Sequence, residues 1–246
     1  MTRLRNILFA APLMLALVSC GEEAGDAALD GEVAAAVAAP AGSTWTATAS
    51  RTAEGGWLVG NPDAPIKLIE YGSLTCPACA AFSVAGSAPL HADYIDTGRV
   101  NYEFRSVLIH GIVDLLITRM LECAPVASAV PLADQVWANL DTVSGGFQAN
   151  GPALEQAMNL PETERFVQLS QLGGLTNFFA ARGISADQAN ACMADAAAVE
   201  ALAEATGAQA EKDGVNSTPT FLLNGQKLDG TGWGDVEAAL QRAGAR

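Results

Sequence analysis

Two cysteines separated by two residues follow an apolar run, and this pair constrains the fold more than any other feature. Cys76-Pro77-Ala78-Cys79 comes shortly after Ile66–Tyr71, which has the length and composition of a buried strand. A cysteine placed where a strand passes into a helix meets exposed N–H groups and the helix dipole, which favour a thiolate. A thiolate is the species that attacks a disulfide or leaves from one. The spacing therefore predicts a redox-active dithiol, although half of a zinc site has the same spacing.

The order of these residues predicts different roles for the two thiols. Cys76 precedes the body of the helix, so we expect it to be the exposed nucleophile with the lower pKa. Cys79 lies one turn further in and is the candidate resolving thiol. Pro77 suits the first helical turn, where its missing N–H costs little. The alternative is a static disulfide closing a small ring.

A second segment, far along the chain, completes a recognisable pattern. Thr218–Gly225 predicts a strand that begins at a proline and ends in an Asn-Gly turn. With Gly60–Pro65 before the first strand and Glu70-Tyr71 inside it, these motifs resemble the DsbA-like branch of the thioredoxin-fold oxidoreductases over residues 57–243. The resemblance implies an α/β thioredoxin fold, β-α-β then β-β-α around one mixed sheet, with a helical insertion between the two halves.

The hydrophobic pattern places the elements of such a fold along the chain. We expect strands at 66–71, 100–105, 220–223 and 226–228, a helix at 76–94 that kinks or ends at Pro89, broken helical segments at about 109–213, and a closing helix at 234–243. Ser185 and Asp195 are candidate N-caps within the insertion.

The resemblance also assigns roles to residues around the thiols. Pro219 corresponds to the family's cis-proline, which lies against the active-site disulfide, and the backbone of Thr218 would then pair with an incoming peptide and help to set substrate choice. An ordinary edge-strand proline is the alternative. Ala78 departs from the strongly oxidising relatives, which carry a histidine there. We therefore expect a lower redox potential, tuned by Pro77 and Ala78.

Glu70 is the candidate proton carrier. It precedes Cys76 by six positions, as does the buried acid in the family's first strand. Alternation along the strand places it on one face with Ile66 and Leu68, which favours burial and a raised pKa. Such a carboxyl could accept or return the proton of Cys79. The alternative is a solvent-facing side chain on a strand edge.

The N-terminus predicts export. Arg3 and Arg5 precede an apolar stretch at 7–18 that ends in Leu17-Val18-Ser19-Cys20, which resembles the lipobox of bacterial lipoproteins. We expect a signal peptide at 1–19, lipidation of Cys20, and a location in the periplasm on a membrane anchor. A cleaved signal peptide with an accidental cysteine is the alternative. Residues 20–54 are poor in large apolar side chains and predict a flexible acidic tether, followed by one domain at 55–246.

The remaining cysteines and histidines are less informative. With Cys20 lipidated and the dithiol paired, Cys123 and Cys192 form an even remainder, which in an exported protein indicates a structural disulfide. Two buried free thiols are the alternative. His91 and His110 lack the spacing of metal ligands and are interpreted as ordinary surface or core residues.

The charge and the motifs together define the partners we expect. A formal net charge of −14 argues against nucleic acid as a ligand. The leading hypothesis is an exported thiol–disulfide oxidoreductase acting on cysteine-containing exported proteins, with no metal or organic cofactor. The resemblance implies recharging by a membrane partner of the DsbB type. The alternatives are a reductase of a particular exported partner, a non-catalytic peptide-binding or chaperone module on the same fold, and a structural zinc protein using four of the cysteines.

Overall fold

The strands of the molecule form a single mixed sheet. The computed structural model describes residues 31–246, so the predicted signal peptide at 1–19 and the lipidation site Cys20 lie outside the described residues. The strands are β1 (Ala49–Arg51), β2 (Trp57–Gly60), β3 (Ile66–Gly72), β4 (Val100–Ser106), β5 (Thr220–Leu223) and β6 (Gln226–Lys227). Their order across the sheet is β1-β2-β4-β3-β5-β6. The β3–β4 pair is parallel, and the other neighbouring pairs are antiparallel.

Two halves of the predicted fold meet in this sheet. The first half runs β3, α1 (Pro77–Pro89), β4, and the second runs β5, β6, α10 (Trp233–Arg242). Strand β5 pairs with β3 so that Tyr71 lies opposite Thr220. The predicted thioredoxin fold is therefore confirmed. The end of β3, which leads to the two cysteines, lies beside the start of β5, which follows Pro219.

Pro89 ends the first helix, as the sequence predicted. Helix α1 stops at Pro89 and the chain continues as a π-helical turn over Leu90–Ile95. Proline lacks the N–H that a regular helix uses at that position, which explains the change of winding. The turn buries Leu90, Tyr94 and Ile95 and leads the chain back into β4.

The predicted helical insertion lies between β4 and β5. It comprises α2 (Ile112–Glu122), α3 (Val126–Ala138), α4 (Leu140–Ala149), α5 (Gly151–Ala157), α6 (Glu162–Leu172), α7 (Leu175–Ala180), α8 (Ala186–Ala194) and α9 (Ala196–Lys212). Ser185 caps α8 in a capping box and Asp195 caps α9, so both predicted N-caps are confirmed. Within residues 31–246, no helix is long and apolar enough to cross a membrane.

The structure differs from the predicted tether from Gly31 onward. The N–H of Gly31 donates to the carbonyl of Arg242 at 2.9 Å, and β1 adds an edge strand to the sheet. Trp45 is 8% exposed and its indole N–H donates to the carbonyl of Val37 at 2.7 Å. Composition predicted a solvated segment because large apolar side chains are scarce here. The segment is held instead by its backbone groups, whose pairing leaves little trace in composition.

Candidate active site

Cys76 and Cys79 lie where β3 passes into α1. Cys76 is the N-cap residue, and its carbonyl accepts from the N–H of Ala80 at 3.0 Å. Pro77 occupies the first turn of the helix, and both Pro77 and Ala78 are exposed. Cys76 is 8% exposed whereas Cys79 is completely buried, and both are free thiols in this structure. One sulfur therefore lies near the surface and the other inside the core.

The loop before β5 lies against Cys76. The peptide bond between Thr218 and Pro219 is cis, as the resemblance implied. The thiol of Cys76 lies 3.5 Å from the carbonyl oxygen of Thr218, its hydrogen-bond acceptor 142 positions further along the chain. The structure thus brings together the two segments that the sequence singled out.

The environments of the two thiols shift their pKa values in opposite directions. Burial opposes ionisation of Cys76, but hydrogen bonds from the Thr218 side chain, from the backbone and thiol of Cys79 and from the backbone of Ala78 outweigh it and lower the pKa of Cys76. Burial is also the main effect on Cys79, and the neighbouring charges of Glu70 and Cys76 add to it, so the pKa of Cys79 is raised strongly. A low-pKa outer thiol and a high-pKa inner thiol form an asymmetric redox pair.

Glu70 lies beneath this pair in the middle of β3. It shares a buried face with Ile66 and Leu68 and is itself 0% exposed. Its Oε2 accepts a hydrogen bond from the Tyr102 hydroxyl at 2.6 Å, and its Oε1 has no hydrogen-bond partner among the described residues. Burial raises the pKa of Glu70 to about 8, against the Tyr102 hydrogen bond and with a further contribution from Asp134. The predicted burial and raised pKa are confirmed, whereas the proton-carrier role stays a prediction.

A buried carboxylate holds the loop that precedes Cys76. Asp114, in the first turn of α2, is 0% exposed. It accepts hydrogen bonds from the Ser73 hydroxyl at 3.0 Å, from the Thr75 N–H at 3.0 Å and from the Thr75 hydroxyl at 2.8 Å. Trp137 of α3 donates its indole N–H to the Ser73 carbonyl at 3.0 Å. The position of Cys76 is thus set from two helices of the insertion.

A second carboxyl, on α3, binds the helix that carries the thiols. The hydroxyls of Ser83 and Ser87, one and two turns beyond Cys79 on α1, donate to Asp134 Oδ1 at 2.6 and 2.7 Å. Burial raises the pKa of Asp134, and the two serine hydrogen bonds and His91 oppose this rise. These contacts fix α1 against α3.

The opposite face of the sheet holds the start of the Thr218 loop. Arg105 donates to the Tyr71 hydroxyl at 2.9 Å and to Asp213 at 3.1 Å, and the Tyr71 hydroxyl also donates to Asp213. Asp213 precedes Thr218 by five positions. A cavity of about 280 Å³ beside this network is lined by Tyr71 and Arg105. Since Tyr71 and Glu70 point to opposite faces of β3, that cavity is separate from the thiols.

The other predicted cysteines lie apart from the dithiol. Cys123, just after α2, forms a disulfide with Cys192 of α8, with the two Cα atoms 6.2 Å apart. The described residues contain no group of three or more His, Cys, Asp or Glu side chains arranged to hold a metal ion. The cysteines in this part of the chain therefore form two separate pairs.

Sequence reasoning missed the supporting residues of the site. Asp114 lies in the first turn of a helix, where an aspartate stabilises almost any helix. Its position in the sequence therefore gives no sign of its contacts with Ser73 and Thr75. Tyr102 alternates with ordinary core residues along β4. Thr75 is the exception, because it adjoins Cys76 in the sequence and could have been examined for that reason.

Comparisons with known proteins agree with this geometry. A family model described as thioredoxin matches residues 52–242. The chain belongs to the thioredoxin family. Among similar proteins, disulfide bond formation protein D of Bacillus subtilis (strain 168) is 35% identical over 54 residues, which cover 22% of this chain and 24% of that protein. The match thus spans about a quarter of that relative's length.

Several solved structures share the fold of this chain. A protein-disulfide isomerase from Novosphingobium aromaticivorans has a TM-score of 0.66 at 24% identity, covering 74% of this chain and 94% of that one. Alpha-DsbA1 of Wolbachia pipientis has a TM-score of 0.60 at 21% identity, covering 79% and 94%. At these identities the likeness concerns the fold, and the chemistry must be argued from the residues of this chain.

Proposed function

We propose that this protein is an exported thiol–disulfide oxidoreductase that exchanges disulfides with cysteine-containing proteins through Cys76 and Cys79. The observation that carries the proposal is the contact of the Cys76 thiol with the carbonyl of Thr218 directly before the cis-proline Pro219. That contact places a thiol of lowered pKa beside backbone that an extended peptide can pair with. A purely structural disulfide requires neither a thiol of lowered pKa nor accessible backbone beside it.

The asymmetry of the pair sets the order of the steps. In the oxidised protein, a substrate thiolate attacks the sulfur of Cys76, the Cys76–Cys79 bond breaks, and its electron pair passes to Cys79. A second substrate thiolate then attacks the substrate sulfur of the mixed disulfide, and Cys76 leaves as a thiolate. The lowered pKa of Cys76 makes it the better leaving group in this second step.

Glu70 supplies the proton that Cys79 needs. The raised pKa of Cys79 means that the inner sulfur is released as a thiol rather than as a buried anion. Glu70 is buried beneath the pair with a pKa of about 8, so near neutral pH it holds a proton that it can transfer. Thr218 and Pro219 would align the substrate, and the exposed Pro77 and Ala78 would tune the potential.

The cellular setting follows from the N-terminal sequence. We propose a signal peptide at 1–19 and lipidation at Cys20, which would hold the domain at a membrane facing the periplasm. Recharging of the reduced pair by a DsbB-type membrane protein belongs to the same proposal.

A redox titration with a defined peptide tests this function. The oxidised protein is mixed with a peptide carrying two cysteines, and disulfide formation is followed at a series of glutathione ratios. We expect stoichiometric peptide oxidation by the wild type and loss of it in both Cys76→Ser and Cys79→Ser, neither of which can form the disulfide. When the peptide is supplied in its oxidised form, reduced Cys79→Ser should hold it as a mixed disulfide on Cys76, because the resolving thiol is missing. Wild-type protein that leaves the peptide reduced under every condition would remove the proposal.

The same titration separates the alternatives. A potential below that of the glutathione pool would make this protein a reductase of exported partners rather than an oxidant. Undiminished peptide binding and protection from aggregation by Cys76→Ser, without any exchange by the wild type, would indicate a chaperone module.

A further inference from the structure

An exposed imidazole adjoins the redox loop. His110 lies between β4 and α2, and its side chain is 54% exposed. Its Nδ1 lies 2.7 Å from the Thr75 hydroxyl, and the backbone N–H of His110 donates to Asp114 Oδ2 at 2.8 Å. Because Thr75 immediately precedes Cys76, and adjacent Cα atoms are about 3.8 Å apart, the ring lies at the rim of the dithiol site.

The hydrogen bonds around Thr75 determine which ring nitrogen is free. Asp114 Oδ1 lies 2.8 Å from Thr75 Oγ1, and a carboxylate oxygen can only accept, so the Thr75 hydroxyl donates its hydrogen to Asp114. The lone pairs of Thr75 Oγ1 then face His110, whose Nδ1 must carry the hydrogen in their 2.7 Å contact. Neutral His110 consequently has its free lone pair on Nε2, the nitrogen on the far side of the ring from Thr75.

We infer that His110 acts as the general base that deprotonates the incoming substrate thiol. This inference rests on the proposed exchange function and adds a catalytic residue to it. Thr75 and Asp114 are positioning residues, because they fix the tautomer and the orientation of the ring. A solvent-facing base bonded to the residue before Cys76 suits an unactivated alkyl thiol, since only its thiolate attacks the Cys76 sulfur.

The proton and electron balance of the step is complete. Nε2 of His110 takes the proton of the substrate thiol. The resulting thiolate forms a bond to the sulfur of Cys76, the Cys76–Cys79 bond breaks, and its electron pair goes to Cys79, which takes the proton of Glu70. The imidazolium and the Glu70 carboxylate then return to their starting states by exchange with solvent. The oxidant is the Cys76–Cys79 disulfide itself.

One titratable side chain, Asp114, lies beside this ring, and Cys76 adjoins the ring's partner Thr75 in the chain. Asp114 Oδ2 of α2 lies 4.0 Å from Nδ1, and the Cys76 thiol follows Thr75 at the start of α1. The Thr75–Asp114 contact favours the hydrogen on Nδ1, whereas a Cys76 thiolate exists only after the disulfide has opened. In the first attack on the oxidised protein, the substrate thiol therefore meets the exposed ring of His110 with no thiolate at Cys76.

The variant His110→Asn tests the inference, because an asparagine amide can still donate to Thr75 but offers no titratable nitrogen. Rates of oxidation of two thiols by the full-length protein are measured from about pH 5 to pH 9: a cysteine peptide, and an aromatic thiol that is already ionised in this range. We expect the variant to oxidise the cysteine peptide about tenfold or more slowly at pH 7, and to lose the rate change in the range where imidazoles generally titrate, about pH 6–7. The rate with the aromatic thiol should change less than twofold, because that thiol needs no base.

His91→Asn, which alters the other histidine of the chain, is the matched control and should behave as wild type with both thiols.

Three results would overturn this role. They are an unchanged rate with the cysteine peptide, an equal loss with both thiols, which would indicate a purely structural contact with Thr75, and an equal loss in His91→Asn. In each of these cases the wild type still oxidises the peptide. Failure of the wild type itself would instead remove the proposed function, so the two failures are distinguishable.

Discussion

Cys76 and Cys79 are three residues apart and have opposite environments, because one ends a loop and the other enters a packed helix. Cys76 is reached by hydrogen bonds from Thr218 and from the backbone of the first turn, which favour its thiolate. Cys79 is 0% exposed and has Glu70 as a charged neighbour. Position on the helix, rather than residue type, therefore separates the two roles.

The first prediction concerns selective alkylation. We expect iodoacetamide at about pH 5–6 to modify Cys76 of the reduced protein and to leave Cys79 unmodified, because only the thiolate reacts. Mass mapping of the tryptic peptides measures both sites. Cys79→Ser should keep the reactive site, and Cys76→Ser should abolish it. Faster labelling of Cys79 would reverse the assignment of roles.

The second prediction concerns Ala78, an exposed residue between the two thiols. An imidazole at this position would add a hydrogen-bond donor and a positive charge near the Cys76 thiolate, stabilising the reduced form. We expect Ala78→His to raise the redox potential by about 30 mV or more, where 30 mV corresponds to about 1.4 kcal/mol for a two-electron couple. Ala78→Asn, a polar replacement without the charge, is the control and should shift the potential less. An unchanged or lowered potential in Ala78→His would show that the residue at this position does not control the redox poise as expected.

At the scale of elements, the disulfide between Cys123 and Cys192 joins the end of α2 to α8 and closes a loop with a sequence separation of 69. Helix α2 carries Asp114, which holds the Thr75 loop. The disulfide thus ties the outer helices of the insertion to the helix that positions the active site.

The third prediction follows from this link. Replacing Cys123 and Cys192 by serine should lower the free energy of unfolding by about 2–4 kcal/mol, because the unfolded chain regains the freedom that a long closed loop removes. Urea denaturation of the oxidised protein measures the loss. Peptide oxidation through Cys76 should persist below the new unfolding midpoint. Recovery of both cysteines as free thiols from the native wild type would contradict the link.

The elements that sequence reasoning placed well are those with a strong local pattern. Strands β3 and β5 are apolar runs next to a motif, and their predicted bounds agree with the structure to within one residue. Strands β1 and β2 were missed because each has four residues or fewer, and β1 is the edge strand of the sheet. Strand β2 pairs with β4, which is distant in the sequence, and β1 pairs with β2, so no local pattern predicts the place of either strand in the sheet.

Over the whole molecule, sequence reasoning identified the chemistry and missed its support. Cys76, Cys79, Glu70 and Pro219 carry their signal in residue type and spacing. The supporting residues contact the site and its surrounding elements only through tertiary hydrogen bonds across the sheet and the insertion. They are Asp114, Trp137, Tyr102, Asp134 and Arg105. The segment from Gly31 shows the same limit, because its backbone pairs with the far C-terminus.

The last prediction concerns the pH dependence of global stability, to which Glu70 contributes through its raised pKa. In the unfolded chain a glutamate titrates at about 4.5, whereas in the folded protein the pKa of Glu70 is about 8. The folded state therefore binds more protons between these values, so the contribution of Glu70 is fully present below about pH 4.5 and is lost as pH rises through 8.

We expect the reduced wild type to lose about 3–4 kcal/mol more stability between pH 5 and pH 8 than Glu70→Gln, which stays neutral at every pH. Urea unfolding of both proteins at each pH unit measures the difference, below the range in which ordinary thiols ionise. Glu200→Gln, at an exposed position of α9, is the control and should follow the wild type. Parallel stability curves for wild type and Glu70→Gln would mean that Glu70 is ionised in the folded protein near neutral pH. In that case the carboxyl would have no proton to transfer to Cys79, and its role beneath the thiol pair would be electrostatic only.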